Sequence, residues 1–319
     1  MTDLLSGFLE ALSPRCYVTT GFSARTGLAW LFPGFDGLKL ISVERGAFFC
    51  SPGEGEPRLE LAPGDCIALL RPRNYVLATS TDAQPVLAST VPYRREHGLA
   101  QYGGDDVITF AGKMMPDPAV AELFFAALPA HFVIPREAGG ESIGRLMREI
   151  HAEREEERPG GEWAVKRLID LVMLSVLRFA LGQESVVSTG LFRAMRDPGL
   201  RRALIGIHDA PERAWTLADL AREAGMSRSR FAEHFRTAMG VPPLEYLMRW
   251  RVRLAVRRLR DTDDPVKAVA AKLGFSSANT FSNAFRRIEG MSPVESREKT
   301  RELLSARLGP YAPPDEAGF

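Results

Sequence analysis

The chain has 319 residues, 45% of them hydrophobic, and a formal net charge of only +1. That length is enough for two domains, each with its own core. The near-neutral total hides an asymmetry, because residues 211–319 carry 19 Lys and Arg against 14 Asp and Glu, while residues 1–210 carry 22 against 26. The start Met1-Thr2-Asp3 lacks the basic region of a signal peptide, and the longest apolar stretch, Leu168 to Leu181, is broken by Asp170 and Arg178, too short to span a bilayer. Cys16, Cys50 and Cys66 are widely spaced without a C-x-x-C arrangement, which argues for reduced structural thiols in a cytoplasmic protein and against a disulfide framework or zinc site.

From Gly27 to about Thr90 the chain reads as short strands at Gly27–Phe32, Leu38–Cys50, Arg58–Leu61, Cys66–Leu70 and Val86–Val91. Pro33-Gly34, the stretch Ser51 to Gly55 and Ala62-Pro-Gly-Asp65 supply the turns, and this rhythm predicts a β-sandwich or barrel. The segment L59-E-L-A-P-G-D-C-I-A-L-L-R-P-R73 resembles the second half of a cupin jelly roll, over roughly residues 20–95. The chain departs from the metal-dependent members of that family. Its five histidines, His97, His131, His151, His208 and His234, are all expected outside the barrel strands, and Tyr75 stands where the second motif's histidine would be. A first-row metal site lacks its usual ligands, so no metal, cofactor or catalytic residue is expected and the barrel reads as a sensor or scaffold.

Arg71 and Arg73 bracket Pro72 at a strand end, and Arg94 and Arg95 follow Tyr93 after the next strand. Arginines converging at a barrel mouth can grip an anion through bidentate hydrogen bonds. Arg71, Arg73, Tyr75, Arg94 and Arg95 are therefore candidate effector contacts, with Arg25 or Arg45 as further members, for a carboxylate, a nucleotide or a cyclic dinucleotide. Surface salt bridges with nearby acids are the competing explanation for each arginine.

Helices follow. Asp117–Leu128 is apolar nearly all round, and Glu141–Arg158 is amphipathic with Ile143, Leu146, Met147 and Ile150 on its apolar face. Gly160-Gly161 breaks the chain before Glu162–Leu181, so the last two predict an antiparallel pair. An apolar stripe does not reveal whose surface it covers, so an ordinary intramolecular core and a contact with another chain are equally open for them. The polar, small stretch Gly182–Thr189 reads as an interdomain linker.

The most informative feature comes near the end. A pattern over Leu217–Arg236, reaching Gly240 and Pro243, recurs over Val266–Arg286, reaching Gly290 and Pro293. Phe231, Phe235 and Arg236 return as Phe281, Phe285 and Arg286, with one extra residue in the second turn. Each copy has a short Ala-rich helix, a Gly-Met-Ser or Gly-Phe-Ser-Ser break, and a second helix that Ser227 or Ser277 can cap. Phenylalanines four apart share an inward face. This is helix-turn-helix grammar, in which the second helix enters the major groove. At about 100° per residue, Ser229, Glu233 and Arg236 project outward from the first copy, and Asn279, Asn283 and Arg286 from the second. Asparagine pairs with adenine, glutamate accepts from cytosine, and arginine reaches guanine or phosphate. Outward polar residues are also what any exposed helix shows. Between the copies, Leu244–Arg260 carries six arginines, of which Arg251 and Arg258 are candidate phosphate contacts, a solvated face being the alternative.

The G-M-S turn with F-x-x-x-F-R, and the stretch G-F-S-S followed by F-S-x-A-F-R-R and G-M-S-P, resemble the DNA-binding domain of AraC-type transcription regulators. The resemblance implies seven helices, the first over Pro198–Asp209 and a rigid linker helix over Leu244–Arg260. It also implies double-stranded DNA and RNA polymerase as partners, activation of transcription, and Arg228, Thr280 and Arg287 as further DNA contacts. The expected architecture is α+β: a cupin-like effector-binding and dimerisation domain over 1–182, a linker over 183–197, an all-α DNA-binding domain over 198–300 and a tail over 301–319. A cupin-type enzyme fused to a DNA-binding module is the alternative.

Overall fold

The protein is represented by a computed structural model that describes residues 5, 9, 16–53, 55–115, 125, 128–156, 158–183 and 190–299. The expected helix over Asp117–Leu128 lies almost wholly outside the described residues, as do the 301–319 tail and positions 184–189 of the linker. Two compact units share the described residues: one holds 16–53, 55–115, 125, 128–156 and 158–183, and the other holds 190–299 with 5 and 9.

The N-terminal unit is cupin-like and built as two facing sheets, which among the described residues do not close into the expected barrel. Seven strands form the larger sheet in the order β12-β6-β3-β11-β1-β10-β9, and five form the smaller in the order β5-β4-β7-β2-β8. In chain order these are β1 (Cys16–Ala24), β2 (Ala29–Phe32), β3 (Leu38–Arg45), β4 (Phe48–Ser51), β5 (Leu59–Leu61), β6 (Cys66–Leu70), β7 (Tyr75–Ala78), β8 (Val86–Leu87), β9 (Arg94–Glu96), β10 (Leu99–Tyr102), β11 (Val107–Met115) and β12 (His131–Ile134). Phe22 from the larger sheet packs on Trp30 and Phe48 from the smaller, with ring centroids 5.0 and 5.9 Å apart. The two sheets thus share one aromatic core.

Several strand expectations change. The single strand Leu38–Cys50 is two, because Gly46 adopts φ +79° and turns the chain from the larger sheet into the smaller. A side chain there would overlap the Asp106 carbonyl, so the turn and its glycine go together. His131 opens β12, which pairs with β6, so one histidine does lie on a strand. Its strand has four residues and carries too short an alternation to announce itself. Among the described residues no cluster of His, Cys, Asp or Glu is arranged to hold a metal ion.

Helix α1 (Gly140–Glu155) lies on the outer face of the larger sheet, and Gly144 comes so close to β3 that a Cβ would meet the Ser42 hydroxyl at 2.7 Å. This cover explains why β3 is buried on both faces from Leu38 to Val43. Gly160, at φ +82°, turns the chain into α2 (Gly161–Gly182), whose Phe179 stacks on Phe132 of β12 at 6.1 Å.

The C-terminal unit is all helical. It contains α3 (Gly190–Arg196), α4 (Pro198–Asp209), α5 (Leu217–Ala224), α6 (Arg228–Met239), α7 (Pro243–Asp261), α8 (Val266–Lys272) and α9 (Ala278–Glu289). A further helical stretch covers 293–299. Among the described residues seven helices therefore follow from Pro198, as the family resemblance implied, and α3 precedes them. α3 corrects the linker: Leu191, Phe192, Ala194 and Met195 are buried, so its second half belongs to the helical core.

Candidate nucleic-acid interface

Local signals place both motifs. Thr216 and Asp219 form a reciprocal capping box at the start of α5, and Ser227 and Ser277 accept from the Arg230 and Thr280 amides to start α6 and α9. Gly225, Gly240 and Gly290 close the helices before them in the left-handed region, a conformation costly for other residues. Ser292 and Glu295 cap the 293–299 stretch in the same reciprocal way, which gives the G-M-S-P segment its structural meaning. The extra residue of the second turn admits Phe275, buried and 5.0 Å edge-on from Phe281.

Phe231, Phe235, Phe281 and Phe285 are each 0% exposed. The opposite faces of α6 and α9 are in solvent: Arg228, Ser229, Glu233 and Arg236 on the first, Asn279, Thr280, Asn283, Arg286 and Arg287 on the second. Among the described residues, the side chains of Arg228, Ser229, Glu233, Arg236, Asn279 and Asn283 take part in no hydrogen bond or ion pair, so they can meet a ligand without breaking an existing contact. Two candidates are already engaged. Thr280 exchanges a hydroxyl hydrogen bond with Ser277 at 2.9 Å, and Arg287 donates to Glu245 of α7 at 2.8 Å. Arg287 and Arg249 beside Glu245 hold its carboxyl below the usual range despite partial burial. Sequence reasoning missed His234, exposed on α6 with Nε2 2.9 Å from the Asp197 carboxylate at the α4 N-cap; only its outward position beside Glu233 signalled it.

α7 is a shared spine. Its first half meets the first motif, with Tyr246 5.8 Å from Phe235. Its second half gives Val252, Ala255 and Leu259 to the core of the second. The arginines on it are not a uniform phosphate-binding face. Arg258 pairs with Asp264 at 3.1 Å and Arg249 with Glu245 at 3.0 Å. Arg251, expected at the surface, is 7% exposed, because the loop after α4 and the turn of the second motif both cover it. The phosphate role assigned to it is withdrawn.

In the N-terminal unit the candidate effector residues do not assemble. Arg71, at the end of β6, pairs with Asp36 at 2.8 Å and lies over Phe125 at 4.4 Å. Arg73 is exposed in the β6–β7 connection, and Arg94 and Arg95 are exposed on β9. Four strands stand between β6 and β9 in the sheet order, a separation that proximity along the chain conceals. Arg45 pairs with Asp105 at 2.8 Å. Tyr75 is fully buried, stacked on Phe32 at 5.2 Å, with its hydroxyl pKa raised by burial. It is a core residue.

The interior between the sheets holds a different polar group. Lys39 is 2% exposed, and burial, with the charge of Lys113 directly opposite in register, lowers its pKa to about 7. It borders a cavity of about 10 Å³ with Phe22, Trp30, Phe32, Tyr102 and Thr109. The buried Thr109 hydroxyl has no hydrogen-bond partner among the described residues.

Comparisons with known proteins bear on both units. A cupin family profile matches residues 3–182, and a helix-turn-helix domain profile matches residues 220–299. A putative AraC-like transcription regulator of Streptomyces antibioticus is 33% identical over 301 residues, covering 93% of this chain and 98% of the relative. One of the same description from Streptomyces lividans is 31% identical, with the same shares covered. Among solved structures, the DNA-binding domain of AdpA, described as a global transcriptional factor in complex with a target DNA, is 34% identical. It covers 34% of this chain and 96% of its own, at a TM-score of 0.32. No helix among the described residues is long and apolar enough to cross a membrane.

Proposed function

Since the chain belongs to the AraC-like transcription regulators, with a cupin domain before its helix-turn-helix domain, we propose that α6 and α9 read two successive major-groove segments of one operator. The observation that carries this reading is the pairing, in each motif, of two fully buried phenylalanines with an exposed face of polar side chains. Arg228, Ser229, Glu233 and Arg236 face the first segment. Asn279, Thr280, Asn283 and Arg286 face the second, with Arg287 at its edge through Glu245. Selection of binding sites from a random duplex pool, followed by footprinting, tests this. Two protected segments about 10–10.5 base pairs apart are expected, and protection of one short segment overturns the reading.

The N-terminal unit takes a small effector between its sheets, and the regulator activates transcription with RNA polymerase, in the cytoplasm where the chromosome lies. Lys39 and Lys113 favour an anionic head group, and the aromatic lining favours an apolar body. The cavity holds a single water at most, so a ligand enters by parting that lining. Thermal stabilisation by a panel of aromatic and aliphatic carboxylates, compared between the wild type and Lys39→Met, tests the site. Equal stabilisation of both proteins removes Lys39 from it. Homodimerisation through α1 and α2, one of the two roles open for them beside intramolecular packing, is read by sedimentation of the full chain.

A further inference from the structure

The two motifs meet directly at a point away from both recognition helices. Arg251, midway along α7, donates from Nε to the Pro211 carbonyl at 2.6 Å, from Nη2 to the Arg213 carbonyl at 2.8 Å and from Nη1 to the Gly274 carbonyl at 3.1 Å. Pro211 and Arg213 lie in the loop that leads into the first motif, and Gly274 is the turn glycine of the second. Gly274 has φ +75°, and a Cβ on it would overlap the Glu212 carbonyl oxygen and stand 2.7 Å from its carbon. The turn of one motif is thus seated on the entry loop of the other, with a guanidinium fastening the joint.

Burying a guanidinium against carbonyls is costly, and burial lowers its pKa here although the Glu212 charge opposes the shift. An apolar side chain would fill the space more cheaply, but it could not hold three carbonyls on two separate elements. Without the joint the motifs are connected through α7 alone, and each could rock about the spine on the loops at 210–216 and 262–265. A second, lateral attachment removes that freedom.

We propose that Arg251 is a positioning residue for DNA recognition, fixing the distance and rotational phase between α6 and α9 so that the protein accepts one half-site spacing. This rests on the two-segment reading above and adds to it a claim about rigidity. Arg251 itself touches no DNA.

The test uses the full chain and a duplex selected by the wild type from a random pool, together with versions carrying one base pair inserted or removed between the two segments. Each change rotates one segment against the other by about 34° and moves it by about 3.4 Å. The wild type is expected to lose roughly tenfold or more in affinity. Arg251→Ala is expected to bind the selected duplex more weakly but to lose only about threefold or less on the respaced ones. A residue that merely stabilises the fold lowers affinity for every duplex by one common factor, so a wild-type ratio in the variant overturns the proposal. If the alanine variant does not fold, Arg251→Lys keeps the charge without the three-carbonyl fork and serves in its place, with an intermediate ratio expected. A wild type that is footprinted over two segments yet indifferent to respacing defeats the rigidity claim alone, whereas a footprint of one segment defeats the reading beneath it.

Discussion

His208 lies flat against Trp250, with ring centroids 4.1 Å apart and 24° between the planes. Its Nε2 is 2.9 Å from the Tyr246 hydroxyl, and neither His208 Nδ1 nor Trp250 Nε1 has a partner among the described residues. The imidazole is half-buried in the joint between α4 and α7, and its loss of solvent there pushes its pKa down to about 3.

That burial makes stability depend on pH in a definite direction. In the unfolded chain the imidazole titrates near 6.5, so between about 6.5 and 3 the unfolded state binds a proton that the folded state refuses. Stability is complete above that window and falls as pH drops through it, by at most ~1.4 kcal/mol per pH unit. Urea melts of the full chain from pH 7.5 to 4.5 should show this slope, and His208→Phe should flatten it. An unchanged slope in the variant would assign the effect to another group.

The phenylalanine pairs hold each motif together. Phe235→Ala and Phe285→Ala should each cost about 3–5 kcal/mol and abolish binding by the affected motif. Denaturant melts with parallel DNA titrations check this, and wild-type values in either assay would mean the inward face is wrongly identified.

Sequence preference should divide by helix. Asn283→Ala is expected to relax selectivity at one or two positions of the second segment, by about 1–3 kcal/mol for a lost bidentate contact. The segment facing Ser229 and Glu233 should keep its preference. Repeating the site selection with the variant reads both segments at once, and an unaltered consensus would remove Asn283 from base recognition.

Much of the C-terminal unit was legible because its signals are local. The capping serines, the left-handed glycines and the phenylalanine spacing each act within a turn or two of chain. Arg251 was misread for the opposite reason. Its three acceptors are backbone carbonyls 23 to 40 residues away in sequence, and a run of arginines does not disclose which one the fold will cover. The N-terminal unit suffered similarly. β1 pairs in parallel with β10 and antiparallel with β11, a pairing fixed by distant contacts rather than by any motif in Cys16–Ala24. Lys39 went unnoticed because a single lysine in L38-K-L-I-S-V43 looks like the solvent-facing member of an alternating strand. It becomes an interior group because the smaller sheet covers the face it shares with Ile41 and Val43.

The cysteines give a simpler test. Burial pushes the Cys50 and Cys66 thiols up to about 12, so almost no thiolate exists at neutral pH. Native protein at pH 8 should therefore leave both unmodified by a disulfide-exchange reagent, and urea should release them. Rapid modification of more than one thiol in the native state would contradict this burial.

The division of α7 between two cores has a consequence for how the C-terminal unit comes apart. A helix whose first half is packed by Phe235 and whose second half closes on Phe285 cannot fray from one end without opening a core. The amides near Trp250 to Ala255 should therefore exchange with solvent only through global opening, and they should be the slowest in the unit. The duplicated motifs would then unfold as one cooperative body, although each looks in sequence like a module of its own.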